Sequence, residues 1–358
     1  MKNLLLLFGG QSTEHEVSCR SVLTVAKAVN REKYRLFFVG ITKAGEWISV
    51  ENTGKIEDGS WREGKKRAVL LPDAGLKSLV FFEEGGSSKL EKVDIVFPVL
   101  HGKAGEDGTV QGLLELAEIP YVGCGVLSSA ISMDKVSTKL AVEKALAKQG
   151  VRQANYIALR HSEWMKEKRK EEICTEVEEE LRYPVFVKPS NAGSSCGVSK
   201  AENREGLLKA VDLALTVDRR VLIEECIKGR ELECAVFSGA AGEVSASSVG
   251  EIKAAAEFYD YDAKYNNPDS QTDINPELPE GVEERIQKAA KSVFLAVDGF
   301  SLSRVDFFFT GEEIVFNEIN TMPGFTSISM YPMLFHKAGW NIEDLVEKLI
   351  SSAENRPV

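Results

Sequence analysis

The chain is predicted to be α/β at its start and α+β beyond it, and three observations lead there. Leu4 to Phe8 is a short, wholly apolar run of the kind buried on both faces of a parallel sheet. It is followed by Gly9-Gly10, by Val17, Val22, Val25, Ala26 and Val29 near helical spacing, and by a second strand at 36–41; this is the β-loop-α-β opening of a doubly wound sheet. Far downstream, Leu302–Phe309 and Ile314–Asn320 are two strands joined by a turn around Gly311-Glu312-Glu313, which predicts an antiparallel hairpin.

Length and composition set the frame. A chain of 358 residues suggests two or three domains, each large enough for its own core. A hydrophobic content of 43% with 28% charged residues is ordinary for a soluble globular protein. The net charge of −11 argues against a general nucleic-acid or anionic-membrane binder, though not against a local basic pocket. The six cysteines (19, 124, 174, 196, 226 and 234) show no CxxC spacing, which fits a reducing cytosol better than a zinc site or a disulfide framework. The apolar run at the amino terminus is short and ends in Gly-Gly and charged residues, so it reads as a buried strand rather than a signal peptide. No apolar run is long enough to span a membrane.

Taken in order, the first candidate loop is Gly9 to Ser18. It lacks GxGxxG, so the dinucleotide fingerprint fails, and Glu14 is either a helix-start carboxylate or a ligand. Residues 43–90 are polar and Gly-rich and are expected to form a small irregular excursion. The strand Asp94–Val99 delivers His101 to Gly108 to its carboxyl end, where such sheets bind ligands; His101 is either functional or a satisfied core histidine. A helix over Val110–Ala117 and another opening at Met133-Asp134-Lys135 and closing near Gln149-Gly150 follow. Residues 161–181 are densely charged with Ile173, Val177 and Leu181 at i, i+4 spacing, which predicts one solvated amphipathic helix.

The strand 183–189 ends in Lys188 and runs into the small-residue loop Ser190–Val198. That loop is a hairpin tip or a cradle of N–H groups for phosphate, and it is no Walker A loop because no GKS or GKT follows. A strand at 221–227 ends in acids, and 231–237 is another strand; the acids and carbonyls between them could accept from a nucleotide's amino and hydroxyl groups or simply face solvent. Glu257 begins a long segment without helical or strand period, bearing Tyr259, Tyr261, Lys264 and Tyr265; its composition suggests an ordered cover over a site. Helices over Glu283–Val297 and Asn341–Ser351, the latter with Asn341 as N-cap, complete the chain.

The hairpin carries the sharpest expectation. Side chains alternate along a strand, so Arg304 and Asp306 share a face, as do Glu318 and Asn320. A loop of odd length places Asp306 opposite Glu318 and Arg304 opposite Asn320, whereas an even loop parts the acids; the expectation is an odd loop. Two carboxylates and an amide beside an arginine suit Mg²⁺ with substrate phosphates.

In this order and spacing, Gly9-Gly10-Gln11-Ser12-Thr13-Glu14-His15-Glu16-Val17-Ser18, His101-Gly102-Lys103-Ala104-Gly105-Glu106-Asp107-Gly108, Lys188-Pro189-Ser190, Phe258-Tyr259-Asp260-Tyr261 with Lys264-Tyr265, and Glu318-Ile319-Asn320-Thr321-Met322-Pro323-Gly324 resemble the ATP-grasp superfamily and, within it, the D-alanine–D-alanine ligases. The resemblance covers nearly the whole chain. It implies a doubly wound domain at 1–128, a central ATP-grasp lobe at 129–215 and a C-terminal lobe at 216–358. It implies that Lys135, Lys188 and Ser195 contact ATP phosphates, and that Glu224, Glu225, Ile227 and Glu231 hold adenine and ribose. Asp306, Glu318 and Asn320 would bind two Mg²⁺ or Mn²⁺ ions. Glu14, Ser194 and Tyr265 would position the first D-alanine, with His101 near its carboxylate. Arg304 and the Gly324 N–H would stabilise an oxyanion, and Lys264, Ser329 and Met330 would lie near the second substrate. It further implies a cytoplasmic homodimer, with room for an assisting monovalent cation. D-serine or D-lactate as second substrate is the nearest rival, and Tyr265 argues against D-lactate. A nicotinamide dehydrogenase lacks its fingerprint here, and a nucleotide sensor without catalysis has no need of Arg304.

Overall fold

A computed structural model gives the fold, and it describes residues 1–82, 85–253 and 271–356. Among the described residues the strands form three sheets, of seven, four and six strands. The first has the order β6-β5-β4-β3-β2-β1-β7. Its centre is β1 (Lys2–Gly9), with β2 (Tyr34–Ile41) and β7 (Ile95–Val99) parallel on either side, joined through α1 (His15–Ala28). Leu4 to Phe8 are fully buried, as their unbroken apolar run requires. The Ser18 hydroxyl accepts the Gly9 N–H at 2.7 Å and donates to the Val99 carbonyl, seating α1 over the carboxyl ends of β1 and β7.

Residues 43–90 are not an irregular excursion. They hold β3 (Trp47–Val50), α2 (Thr53–Glu57), β4 (Arg67–Leu70), β5 (Ser78–Phe82) and β6 (Ser88–Lys92), and the four strands extend the first sheet antiparallel. Strands of four and five residues give too few repeats for alternation to stand out from the surrounding Gly and Lys. Trp61 anchors the extension. Its ring packs edge-on to Phe8 at 4.9 Å, and a Cβ on Gly40 would come within 2.3 Å of it. α3 (Thr109–Leu116), α4 (Val126–Met133) and α5 (Lys135–Lys148) follow, with the Asp134 carboxylate accepting the Ser137 N–H at 2.7 Å as N-cap of α5.

The second sheet is wholly antiparallel, in the order β11-β10-β12-β9. Here β8 (Arg152–Gln153) precedes β9 (Tyr156–Arg160), and β10 (Val185–Pro189), β11 (Ser199–Ala201) and β12 (Arg220–Glu225) complete the series. The charged stretch 161–181 is broken into α6 (His161–Trp164), α7 (Glu167–Glu176) and a π turn at Val177–Leu181, instead of one helix. Ile173 and Val177 pack with Leu207 and Val211 of α8 (Arg204–Val217) over this sheet.

The third sheet runs β15-β14-β13-β16-β17-β8. It uses β13 (Arg230–Ser238), β14 (Val244–Lys253), β15 (Gln271–Asp273), β16 (Leu302–Phe309) and β17 (Ile314–Asn320). One face is covered by α9 (Val282–Ala296) with α5; the other by α10 (Met330–Lys337), which shares a core with α11 (Ile342–Glu354) and the first sheet. Asn341 caps α11 as expected, accepting the Asp344 N–H at 2.7 Å.

Strand pairing cuts across the boundary expected at 215/216. Arg220–Glu225 pairs inside the second sheet, while β8 leaves the middle of the chain to pair parallel with β17. Sequence order cannot show such an exchange, because the partner of an edge strand is chosen by packing rather than by proximity along the chain.

Candidate active site

The cleft between the second and third sheets is closed at one end by loops of the first, and the β16–β17 hairpin forms its floor. Asp306 lies opposite Glu318 and Arg304 opposite Asn320, as the chemistry demanded. The expected cause is wrong, however. The loop is Thr310–Glu313, an even four residues, and a β-bulge between Asp306 and Phe307 restores the parity by leaving Asn317 unpaired. Bulges of this kind re-aim side chains beside functional sites.

Arg304 is buried behind the floor. Its Nε donates to Asp306 Oδ1 at 2.7 Å and its Nη2 to Asp306 Oδ2 at 2.6 Å. Glu233 Oε2 lies 3.0 Å from the same Nε, and Asn320 Nδ2 donates to Asp306 Oδ2 at 2.9 Å. Burial alone would favour a neutral guanidine, but Asp306 and Glu233 hold the Arg304 pKa above its ordinary value. Among the described residues no three His, Cys, Asp or Glu side chains converge as a preformed metal cluster. The donors at hand are the Asp306 and Glu318 carboxylates with the Asn320 amide, all lining the cleft, and hard oxygen donors of this kind fit Mg²⁺ or Mn²⁺.

The opposite wall carries the lysines. Lys188 Nζ lies 2.6 Å from Glu224 Oε2, and Lys139 Nζ lies 2.6 Å from Glu224 Oε1. Burial would raise the Glu224 pKa, yet the two ammonium groups hold it at about 2. The same ion pair outweighs burial at Lys188 and raises its pKa. Glu224 thus lines the cleft while serving as counter-ion to both Lys188 and Lys139. Glu225 pairs with Arg152 at 2.7 Å and still lines the cleft with Ile227 and Glu231. Lys135 Nζ donates to the Ala192 carbonyl at 2.7 Å and stands 3.8 Å from Glu318 Oε2, bridging the small-residue loop and the floor.

In that loop Ser194 and Ser195 both take left-handed backbone angles, with φ of 50° and 56°. Consecutive non-glycine residues in that region are held only where surrounding structure demands it. The buried Ser194 hydroxyl has no hydrogen-bond partner among the described residues. Glu14 does not cap α1 with its side chain; it points into the cleft instead. A Cβ on Gly102 would come within 2.8 Å of Glu14 Oε2, and one on Gly193 within 3.2 Å, so two glycines make room for this carboxylate.

His101 does not line the cleft. It is buried, its Nδ1 2.9 Å from the Met322 carbonyl and its Nε2 3.2 Å from Ser21 Oγ. Met330 is likewise a core residue at the start of α10, packed against Gly250, and Ser329 bonds locally, its Oγ accepting the Thr326 N–H at 3.0 Å. A Cβ on Gly324 would fall 2.7 Å from Ser329 Oγ, so that loop closes tightly only with glycine there. Lys264 and Tyr265 lie outside the described residues.

Three residues escaped the sequence reading. Lys139 stands one helical turn beyond Lys135, and Glu233 is two residues along the strand from Glu231. Spacing could have found both. Glu106, half-buried in the His101–Gly108 motif, lines the cleft, and loss of solvation there together with neighbouring Glu14 raises its pKa to about 8. No local signal marks it, since the partners that bury it are distant in sequence.

Comparison with known proteins adds to this geometry. The family model described as D-ala D-ala ligase N-terminus matches residues 3–124, and that described as D-ala D-ala ligase C-terminus matches 145–351. A D-alanine--D-alanine ligase of Acetivibrio thermocellus is 46% identical over 99% of this chain and 96% of its own length. Among solved structures, the VanG D-Ala:D-Ser ligase from Enterococcus faecalis has a TM-score of 0.86 at 37% identity, covering 98% of this chain and 99% of that one. The D-alanine-D-alanine ligase from Coxiella burnetii has a TM-score of 0.81 at 31% identity, covering 99% of this chain and 96% of that one.

Proposed function

The chain belongs to the D-alanine–D-alanine ligase family, ATP-dependent enzymes of ATP-grasp architecture that form a carbon–nitrogen bond, and on that premise we propose how this cleft joins two molecules of D-alanine for peptidoglycan precursor synthesis. The observation that supports the assignment of roles is one cleft with lysines on one wall, a carboxylate–amide floor opposite that is backed by the buried Arg304, and Glu14 at the closed end.

A carboxylate is a poor acyl donor. In the proposed first step a carboxylate oxygen of the first D-alanine attacks the γ-phosphorus of ATP, the bond to the bridging oxygen breaks, and ADP leaves. Lys135 and Lys188 face the phosphates, with Glu224 and Lys139 fixing Lys188 and the Ser194-Ser195 loop folding over them. Positioning and charge neutralisation supply most of such a reaction's acceleration. Asp306, Glu318 and Asn320 would hold two divalent ions, Mg²⁺ or Mn²⁺. A bound ion of that kind offsets negative charge on phosphoryl oxygens. Ile227, Glu225 and Glu231 border the nucleotide end.

In the second step the amino nitrogen of the other D-alanine attacks the acyl carbon. The tetrahedral oxyanion collapses, the carbon–oxygen bond to phosphate breaks, and the nitrogen loses its proton. Arg304, kept charged by Asp306 and Glu233, and the Gly324 N–H are the proposed oxyanion donors. Removing one such donor typically costs about 100- to 1,000-fold in rate. Glu14, with Ser194 and Tyr265, would hold the first amino acid, and Lys264 and Ser329 would face the second.

The assay is phosphate release and product mass with ATP, Mg²⁺ and D-alanine, alone and with D-serine or D-lactate. D-alanine alone should give phosphate and the dipeptide. Turnover only when D-serine is added would transfer the assignment to the reading favoured by the likeness to the D-Ala:D-Ser ligase. No turnover with any pair would remove it altogether. We also place the reaction in the cytoplasm, where ATP is available, in a homodimer aided by a monovalent cation; sedimentation and a K⁺ titration test the last two. Among the described residues no helix is long and apolar enough to cross a membrane.

A further inference from the structure

The roles above leave Glu106 without one, yet it sits where the first sheet meets the floor of the cleft. Its Oε2 accepts the Gly102 N–H at 2.7 Å, four residues away. Its Oε1 accepts the Met322 N–H at 2.9 Å, across 216 residues of chain. Met322 lies two residues beyond Asn320 and two before Gly324. The other side of the same residue is held too, because its carbonyl bonds His101 Nδ1 at 2.9 Å. His101 continues to Ser21 Oγ at 3.2 Å, and that hydroxyl accepts the Phe325 N–H at 3.2 Å. Gly324 is thus bracketed: Met322 is pinned before it through both its N–H and its carbonyl, and Phe325 is pinned after it. All the pins come from α1 and the loop after β7.

We propose that Glu106 is a positioning residue, which acts through the Met322 N–H to set the Gly324 N–H in register with Arg304 and with the Glu14 end of the cleft. His101 and Ser21 complete the bracket, which gives the buried imidazole a role at one remove from substrate. This rests on the reading of Gly324 as an oxyanion donor. The chemistry of the carboxylate is suited to the task. Protonated or ionised, a carboxyl group offers an oxygen to each amide at once, whereas a carboxamide offers one oxygen and turns an NH₂ toward the other N–H. One of the two contacts must then open. A shift of about 1 Å at a positioned group can cost on the order of 100-fold in rate.

The test is Glu106→Gln, measured in two ways on the full chain. In steady-state turnover with D-alanine, kcat should fall by about 100-fold while affinity for a non-hydrolysable ATP analogue stays within about twofold, since the lysine wall is untouched. In hydrogen exchange of the free protein, peptides covering 100–105 and 320–326 should lose protection while the central strands of the third sheet keep theirs. The exchange arm needs no amino-acid substrate, so it reads the clamp even if D-alanine proves not to be the substrate. Wild-type kcat, unchanged exchange in both peptides, or loss of protection throughout the chain overturns the proposal. Should the amide variant fail to fold, Glu106→Asp keeps the carboxyl group but is too short for both amides. It should show the same pattern at smaller amplitude, and wild-type exchange and turnover in it refute the clamp.

Discussion

At the residue scale, the buried charges decide most of what can be predicted. Glu224 has a folded pKa of about 2 against an ordinary 4.5. A carboxylate depressed on folding contributes stability that is fully present above about pH 4.5 and lost as pH falls toward 2. Glu224→Gln leaves the buried Lys139 and the half-buried Lys188 without their counter-ion and should lower stability by about 3–5 kcal/mol near neutral pH. It should also flatten the acid limb of a denaturation series between pH 4.5 and 2. An unaltered acid limb would mean that other carboxylates dominate it. Glu106 has the opposite sign. Its folded pKa is raised to about 8, so its contribution is present below about pH 4.5 and declines as pH rises toward 8. Arg304→Ala should reduce turnover by at least about 100-fold while leaving ATP-analogue binding nearly intact. Lost nucleotide binding in that variant would show that Arg304 serves the phosphates instead.

At the element scale, the β16–β17 hairpin separates pairing from loop length. The bulge at Asn317, and not the loop, brings Glu318 opposite Asp306. Deleting Glu312 from the four-residue loop should therefore leave Mg²⁺-dependent turnover within about tenfold of wild type. A loss beyond that, with the fold retained by circular dichroism, would return control of the register to the loop. Local capping makes a smaller claim. Asn341→Ala removes the acceptor for the Asp344 N–H and should lower stability by about 1 kcal/mol without affecting turnover. Denaturant midpoints at constant slope are the measure.

At the scale of the whole molecule, the first and third sheets share one apolar core while the second keeps its own. Phe97 meets Phe325 edge-on at 5.9 Å, and Arg356 lies over Tyr121 at 3.8 Å and Phe300 at 4.6 Å. Phe325→Ala should destabilise the chain by about 3–5 kcal/mol and shift the unfolding of both sheets together. Separate transitions for the two, followed by site-specific exchange, would contradict a shared core. The second sheet touches the site through Lys188, Glu224 and the Ser194 loop, so it can shift against the other two without breaking that core.

The apolar run at Leu4–Phe8, the helix spacing of α1 and α9, the Asn341 cap and the sharing of one strand face by Arg304 and Asp306 were legible because each rests on neighbours in sequence. So were several of the charged and amide residues lining the cleft, carried by motifs whose spacing is local: Glu14, Lys135, Lys188, Asp306, Glu318 and Asn320. What the sequence could not determine depends on partners far along the chain. The four antiparallel strands between Trp47 and Lys92 exist because a sheet edge was there to receive them. Glu224 became the counter-ion of two lysines, and His101 and Met330 became interior residues, because of what packs around them. The bulge at Asn317 and the clamp from Glu106 to Met322 follow the same logic, since a hydrogen bond spanning 216 residues leaves no periodic trace in the sequence.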